Sequence, residues 1–346
     1  MSGGVDSSVA AAVLQQQGFQ VFGLTMHLWD QPPACGTSRS CCTPEDAYDA
    51  RRVAQVLDIP FYVIDFSGLF RRSVVQPFID DYARGRTPNP CVRCNETLKF
   101  DILLNRAGDL GADFLATGHY VRLEESAGGL QLLRARDRRK DQSYFLFSIP
   151  RGQLPFLKFP LGGMTKAETR AVAARLALPV AEKSESQDCC FVPDGNYPAF
   201  FAKEAPGQLT PGDIVDAEGR LVGRHAGIAL YTIGQRKGLG IASSRPLYVS
   251  AIDAVNNRLV VGPEEALYRQ ELELERVNWL LEEVPVTPLE ISARIRYGGE
   301  AEPARLALGP DRTATVSFRE PQRAITPGQA CVFYREDRIL GGGWIV

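Results

Sequence analysis

Two groups of residues in this chain have the types and spacing for chemistry. The first is the opening run Ser2-Gly3-Gly4-Val5-Asp6-Ser7-Ser8; the second is a set of cysteines, above all Cys91, Cys94, Cys189 and Cys190. Two glycines let the backbone curl so that successive N–H groups point into one concavity. The apolar stretch Val9-Ala10-Ala11-Ala12-Val13-Leu14 behind it reads as a helix, whose N-terminal dipole favours an anion. Ser7 and Ser8 stand where hydroxyls cap the helix and bond phosphate oxygens. The run is therefore expected to cradle phosphate. It lacks the lysine of the GxxxxGK[ST] loop, which excludes an ordinary kinase-type or GTPase-type site.

The thiols fall in two blocks. In Gly85-Arg86-Thr87-Pro88-Asn89-Pro90-Cys91-Val92-Arg93-Cys94-Asn95 the prolines restrict the chain to extended or turn geometry, so Cys91 and Cys94 are expected on a rigid loop outside any helix. Arg86, Arg93 and Lys99 nearby favour thiolate. In Lys183-Ser184-Glu185-Ser186-Gln187-Asp188-Cys189-Cys190-Phe191, neighbours of an extended segment point to opposite sides, so one of the two cysteines faces a site while the other packs. A third block, Gly223 to Gly227 followed by Tyr231 to Gly240, mixes cations, glycine and aromatic residues. It suits phosphate-backbone contact and equally suits a solvated turn.

The elements that must position these groups change character along the chain. It has 346 residues, more than one typical core accommodates, and 45% are hydrophobic, an ordinary globular share. Its formal charge of −2 makes no global field for nucleic acid, so any polyanion site must be a local patch. No apolar run reaches membrane-spanning length and no cleavable signal pattern is present; the expectation is a cytoplasmic protein without membrane contact. Eight cysteines in such a chain point to sulfur or metal chemistry, while three histidines argue against an imidazole-based zinc site. Up to about residue 204, strand-like runs (Val21 to Met26, Phe61 to Phe66, Asp113 to Gly118) alternate with helix-like ones such as Pro44 to Leu57. That pattern predicts an α/β domain with a parallel sheet over 1–204 and ligands at the strands' carboxyl ends, near Met26 and Gly118. A phosphate loop ordinarily hangs from a strand. Here the loop starts at Met1, so that strand is expected to be shortened or to lie upstream. A small central domain over 205–271 and a C-terminal β-barrel over 272–346 follow. Barrel strands are expected at Thr315 to Phe318, Ala330 to Tyr334 and Ile339 to Val346, with turns at Pro327-Gly328 and at Gly341-Gly342-Gly343.

Six segments occurring together and in order carry a resemblance. They are Ser2 to Ser8, Thr87 to Pro90 with Cys94-Asn95, Ala116 to Tyr120, Lys140 to Ser143, Ser186 to Phe191, and Tyr231 to Gly240. The chain closely resembles the bacterial tRNA-specific 2-thiouridylase family over essentially its whole length; the opening loop alone is shared with other PP-loop ATP pyrophosphatases. The resemblance implies ATP-dependent thiolation of C2 of the wobble uridine, in the anticodon stem-loop of Lys, Glu and Gln tRNAs, with Mg2+ and a sulfur donor of the cysteine desulfurase type or its relay. It implies that Ser2, Gly3, Gly4, Val5, Asp6, Ser7, Ser8, Met26 and Gly118 bind ATP, with Asp6 aiding magnesium and phosphate. Asn89, Pro90 and Cys91 then lie against the target base, and His119, Lys140, Asp141, Gln142, Arg296, Tyr297 and Gln329 contact tRNA. Cys94 matches the nucleophile and Cys190 the persulfide carrier; the persulfide then delivers sulfur directly, or Cys94 attacks it, releasing hydrosulfide and leaving a Cys94–Cys190 disulfide.

One departure leaves the sulfur route open. Many relatives carry aspartate where Cys91 stands. Cys91, Cys94 and Cys190 are then either nucleophile, carrier and spare thiol, or three ligands of a [4Fe–4S] cluster with one open iron. Three thiolates without a fourth ligand make a poor structural zinc site. Cys35, Cys41 and Cys42 receive no role. His27 is expected to close a strand and His225 to sit in a turn or touch tRNA. The basic run Arg134, Arg136, Arg138, Arg139 and Lys140 is expected to touch tRNA. Two rival functions are an amide- or nitrogen-transferring synthetase of the same loop class and a tRNA-binding or sulfur-carrying protein without catalysis.

Overall fold

The computed structural model describes residues 1–29, 44–184, 189–192 and 195–346. Cys35, Cys41, Cys42 and residues 185–188 of the second thiol block lie outside the described residues. The chain begins with helix α1 (Val5–Gln16), strand β1 (Gly23–His27), helix α2 (Pro44–Leu57) and strand β2 (Phe61–Asp65). β1 and β2 run parallel, Gly23 opposite Phe61 and His27 opposite Asp65, so His27 does close a strand. In α2, Glu45 and Asp46 occupy the first turn, where they complement the dipole, and Ala50, Val53, Ala54 and Leu57 are buried at helical spacing.

Helices α3 (Ser67–Phe70) and α4 (Gln76–Ala83) are joined by a π-helical turn, Arg71–Val75. Helices α5 (Pro90–Cys94) and α6 (Leu104–Asp109) are joined by a longer one, Asn95–Leu103. Next come β3 (Leu115–Ala116), the hairpin β4 (Val121–Ser126) and β5 (Gly129–Arg134), β6 (Leu157–Lys158), α7 (Lys166–Arg175) and α8 (Tyr197–Glu204). The parallel pairing continues in β3 and β6, but as a second two-stranded sheet separate from β1 and β2. Only two residues of the expected Asp113 to Gly118 run are strand. Met1 runs alongside β1: its amino group donates to Leu24 O, and Thr25 Oγ1 donates to Met1 O at 2.5 Å.

Strands β7 (Gly212–Val215), β8 (Leu221–His225), β9 (Tyr248–Asp253) and β10 (Arg258–Gly262) make a small sheet in the order β8-β7-β10-β9. Its own core holds Ile214, Tyr231, Leu239, Val249 and Leu259. The last six strands are β11 (Tyr268–Trp279), β12 (Leu289–Arg294), β13 (Glu302–Leu308), β14 (Ala314–Arg323), β15 (Ala330–Arg335) and β16 (Arg338–Ile345). Their order, β11-β14-β13-β12-β15-β16 with β16 pairing back to β11, closes a barrel and leaves those strands without a free edge. Apolar residues alternate inward along β14 (Ala314, Val316, Phe318). The β4–β5 hairpin joins this barrel outside β16, with Leu133 opposite Arg338.

The glycines expected to form a turn at 341–343 lie inside β16 instead. A Cβ on Gly342 would stand 2.6 Å from the Phe147 ring and 2.7 Å from Cys331 O, so the strand needs glycine to pack this closely. No helix among the described residues is long and apolar enough to cross a membrane.

Candidate active site

The opening loop is shaped by what stands behind it. Gly3 has φ of +68°, and a Cβ there would fall 2.2 Å from Asp46 O in α2. Gly118 is held as tightly: a Cβ would lie 2.7 Å from Asp6 C and 2.8 Å from Ser7 N. The turn after β3 is thus pressed against the first residues of α1, and only glycine permits that approach. Ser2 N donates to Ser7 Oγ at 3.0 Å, and the Ser2 and Ser7 hydroxyls are 3.2 Å apart.

Ser7 and Ser8 do not cap α1, as their position suggested. The N-cap is Gly4, without a side-chain bond, and both hydroxyls donate back to Gly4 O, at 3.2 and 2.8 Å. Ser8 is fully buried and Val5 packs in the core, so only part of the run faces outward. The first backbone N–H groups of α1 are left for a ligand or water.

Asp6 carries the densest electrostatics. Lys166 Nζ sits 2.7 and 2.9 Å from its two oxygens, and the Tyr120 hydroxyl donates to Oδ1 at 2.9 Å. A capping box of Thr165 and Glu168 starts α7, and Asp137 Oδ2 accepts from Lys166 N at 3.0 Å, which fixes where Lys166 projects. Lys166 lies 160 residues from Asp6, and nothing local in the sequence marks the pair.

A cavity of about 1110 Å³ collects Ser2, Asp6, Ser7, Met26, Thr117, Gly118, His119 and Gln142 with Lys99. Its other end, lined by Leu14, Phe19, Pro60 and Phe114, runs between β1 and β3 toward the strands' amino ends. Gln142 clamps the turn beside Gly118: its Oε1 accepts from Tyr120 N at 2.9 Å, while its own N–H donates to Tyr120 O at 3.0 Å. His119 Nδ1 lies 2.9 Å from Thr117 Oγ1. Burial and, secondarily, the nearby Lys99 cation hold its imidazole well below the usual histidine range, so it is neutral at pH 7.

The thiol region adjoins through one continuous helical run. Asn89 Oδ1 accepts from Val92 N at 3.2 Å and Pro90 occupies the first turn, so Cys91 and Cys94 lie in a short helix, not in the loop expected above. The prolines stiffen the approach, but an Asn-Pro pair is also a helix start. Cys91 is exposed and Cys94 is buried. Three parts of the chain brace the loop before them. Pro327 O accepts from Thr87 N at 2.8 Å, Gln329 Nε2 donates to Thr87 O at 2.9 Å, and Arg86 pairs with Glu275 at 3.0 Å. From the small central sheet, Thr232 approaches Thr87 at 3.4 Å and Ile252 packs on Gly85. Gln329 therefore positions this loop from the barrel.

Cys189 and Cys190 are half-buried thiols on the turn anchored by Phe191, which is buried among Phe70, Phe78 and Phe200 with ring centroids 5.0 to 5.6 Å away. Among the described residues, no three His, Cys, Asp or Glu side chains gather closely enough to hold a single metal ion.

The remaining expected contacts divide. Arg296 and Tyr297 are exposed, and Tyr297 lies against Phe145 at 4.4 Å between ring centroids. Asp141 is buried: it accepts from Arg134 Nε at 3.1 Å, Ala135 N at 3.1 Å and Ser143 Oγ at 2.9 Å, an internal brace with no face left for a ligand. The basic run around it is largely neutralised. Arg136 pairs with Glu168 and Arg138 with Asp337, while Arg139 at its end is exposed and Lys140 half-exposed. His225 is a core residue; Nδ1 accepts from Gly227 N and Nε2 donates to Asn257 O, both at 3.1 Å.

Comparison with known proteins bears on this whole arrangement. Residues 1–194 match the family described as tRNA methyl transferase HUP domain, 199–263 its PRC-barrel domain, and 269–345 the aminomethyltransferase beta-barrel domain. The chain is 57% identical over 348 residues to the tRNA-specific 2-thiouridylase MnmA of Magnetococcus marinus, covering all of this chain and 97% of that one. It is 50% identical to the protein of that name from Geotalea uraniireducens (100% and 93% covered) and 49% identical to that from Rhodospirillum centenum (100% and 90%).

Proposed function

We propose, from the premise that this chain belongs to the tRNA-specific 2-thiouridylase family, that it is a tRNA sulfurtransferase that thiolates C2 of a wobble uridine at the expense of ATP. The single observation that carries the reading is the run from the phosphate-type loop and its cavity, through Lys99, to Cys94 on one uninterrupted helical segment. A nitrogen-transferring synthetase of the same loop class has no use for that thiol. Methyl transfer, named in the family description, has no use for the ATP-type loop.

In this reading ATP brings Mg2+ with it. The loop of Ser2, Gly3, Gly4 and Ser7, with Val5 and Ser8 holding its shape, takes the phosphates, and Met26 and Gly118 take the adenosine side. Asp6 acts as the anchor of Lys166 more than as a metal ligand, because both its oxygens already face that cation. Uracil O2 attacks the α-phosphorus, the bond to pyrophosphate breaks with its electron pair, and N3 loses a proton to water. The poor leaving group on C2 is now AMP.

Sulfur then arrives as a persulfide on Cys190. Its terminal sulfur adds to C2, the C2–O2 bond breaks and AMP departs. Cys94 thiolate attacks the Cys190 sulfur, freeing the thiocarbonyl, which regains a proton, and leaving a Cys94–Cys190 disulfide. A cellular dithiol must reduce that disulfide before the next turnover. Alternatively Cys94 attacks the persulfide first and releases hydrosulfide, which adds to C2. The alternative route would hold a [4Fe–4S] cluster on Cys91, Cys94 and Cys190, whose open iron would bind the sulfide to be transferred. Asn89, Pro90 and Cys91 border the base, while His119, Lys140, Arg296 and Tyr297 form the tRNA side, with Gln142 and Gln329 bracing it.

The test is a single-turnover assay with an unmodified tRNA bearing a wobble uridine, ATP, and a cysteine desulfurase with cysteine. Formation of 2-thiouridine with one AMP and one pyrophosphate per sulfur is expected. AMP release without tRNA, or thiolation without ATP, would refute the reading.

A further inference from the structure

We propose that Lys99 is a catalytic residue, its ammonium contacting the phosphate that becomes AMP in both the adenylation and the sulfur-transfer step; this rests on the adenylation reading above. The opening loop carries no lysine of its own, so the negative charge that shifts between the α-phosphate and the departing groups must be met by a cation from elsewhere. The lysines near the cavity differ in where they stand. Lys166 spans both oxygens of Asp6. Lys158 lines the far end, with its ammonium 4.1 Å from the Phe114 ring centroid and 5.0 Å from that of Phe19. Lys99 lines the cavity together with Ser2, Ser7, Gly118 and His119.

The backbone explains how Lys99 reaches that place. Lys99 lies within the π-helical stretch Asn95–Leu103, five residues after Cys94 on the same continuous helical run. One continuous helical run thus carries both Cys94 and Lys99, with Lys99 at the cavity. Half-burial of Lys99 strengthens its field on a phosphate.

Both chemical steps balance with Lys99 as a fixed charge that neither gains nor loses a proton. In the first, the O2–Pα bond forms as the Pα–O bond to pyrophosphate breaks. In the second, the C–S bond forms as the C2–O2 bond breaks and AMP takes the electron pair.

The experiment compares the full chain with Lys99→Gln and Lys99→Arg in single-turnover thiolation and in AMP release, each at several ATP concentrations, alongside thermal unfolding. Lys99→Gln is expected to lose about 10²-fold or more in the maximal rate of AMP release, with a change in the ATP concentration at half-maximal rate of less than about fivefold and an unchanged Tm. Lys99→Arg keeps the charge and is expected to recover at least about tenfold of that loss. A Lys99→Gln rate within about threefold of wild type overturns the proposal, as does an equal loss in both variants. If wild-type protein itself releases no tRNA-dependent AMP, the adenylation reading fails instead, and the two failures are told apart.

Discussion

Lys166 Nζ stands 2.7 and 2.9 Å from the two carboxylate oxygens of Asp6, so the first turn of α1 and the first residue of α7 are locked by one ion pair across the mouth of the phosphate-type loop. The pair is half-buried, with side-chain exposures of 12% for Lys166 and 35% for Asp6, which makes it more of a positioning device than a source of stability. Lys166→Met frees the Asp6 carboxylate to repel incoming phosphates. The expected result is a fall of about 10²-fold in the rate of AMP release with tRNA affinity within about threefold of wild type. Filter binding and a quench-flow assay measure the two; an equal loss in both would place Lys166 outside the nucleotide site.

Gly118→Ala tests the other wall of the same turn. Its Cβ would meet Asp6 C at 2.7 Å and Ser7 N at 2.8 Å, both backbone atoms that cannot swing away. Overpacking of this kind costs about 1–3 kcal/mol, and here the strain falls on the loop itself. The variant is expected to bind ATP at least about tenfold more weakly by calorimetry. Unchanged ATP affinity would show that the two turns are not coupled.

Much of this was legible in the residues. The Gly-rich opening, α2 from Pro44 to Leu57, the strand at Phe61 and the three C-terminal strands follow from local pattern, because period and capping are local properties. What escaped was set by distant partners. Asp141 reads as a surface acid until Arg134, Ser143 and the barrel close over it. Lys166 finds Asp6 across 160 residues, and the glycines 341–343 read as a turn until Phe147 is seen to pack on Gly342. Cys91 and Cys94 were misplaced for a local reason: the capping oxygen of Asn89 outweighs the extended bias imposed by Pro88 and Pro90.

The two sulfur-bearing cysteines should separate by trapping. Cys190→Ser is expected to accept no persulfide, whereas Cys94→Ser is expected to load one and then fail to thiolate tRNA. Mass spectrometry after exposure to a desulfurase and cysteine reads both. Persulfide on Cys189, with Cys190 unmodified, would reassign the carrier to its neighbour. Cys91→Asp, at an exposed position, is expected to keep most of the rate of aerobically purified protein.

Binding of tRNA should depend on a few outward cations, since the chain as a whole carries a net charge of −2. Arg296 is exposed and Lys140 half-exposed at the end of the basic run. Replacing either by alanine is expected to lower the slope of log affinity against log salt by about one unit. Titrations over a range of salt concentrations check this, and slopes equal to wild type would remove both from the phosphate contacts.

Histidine gives the molecule an acid limit with a definite sign. Burial is the leading reason that His119 and His225 are both held below the ordinary value near 6.5; the Lys99 cation adds to it at His119. In the unfolded chain these imidazoles protonate as pH falls through that value, whereas the folded protein keeps them neutral. The unfolded state then binds more protons, so stability is fully present above that value and is lost as pH falls below it, with a slope of up to about 1.4 kcal/mol per pH unit for each histidine. Urea unfolding at about pH 5.5 and 7.5 brackets this window. His119→Gln cannot take up that proton and is expected to show a shallower fall than wild type, even if its stability at pH 7.5 is lower. Parallel curves for the two proteins would mean that His119 is protonated equally in both states, which its hydrogen bond to Thr117 and its seat beside Lys99 and Phe100 argue against.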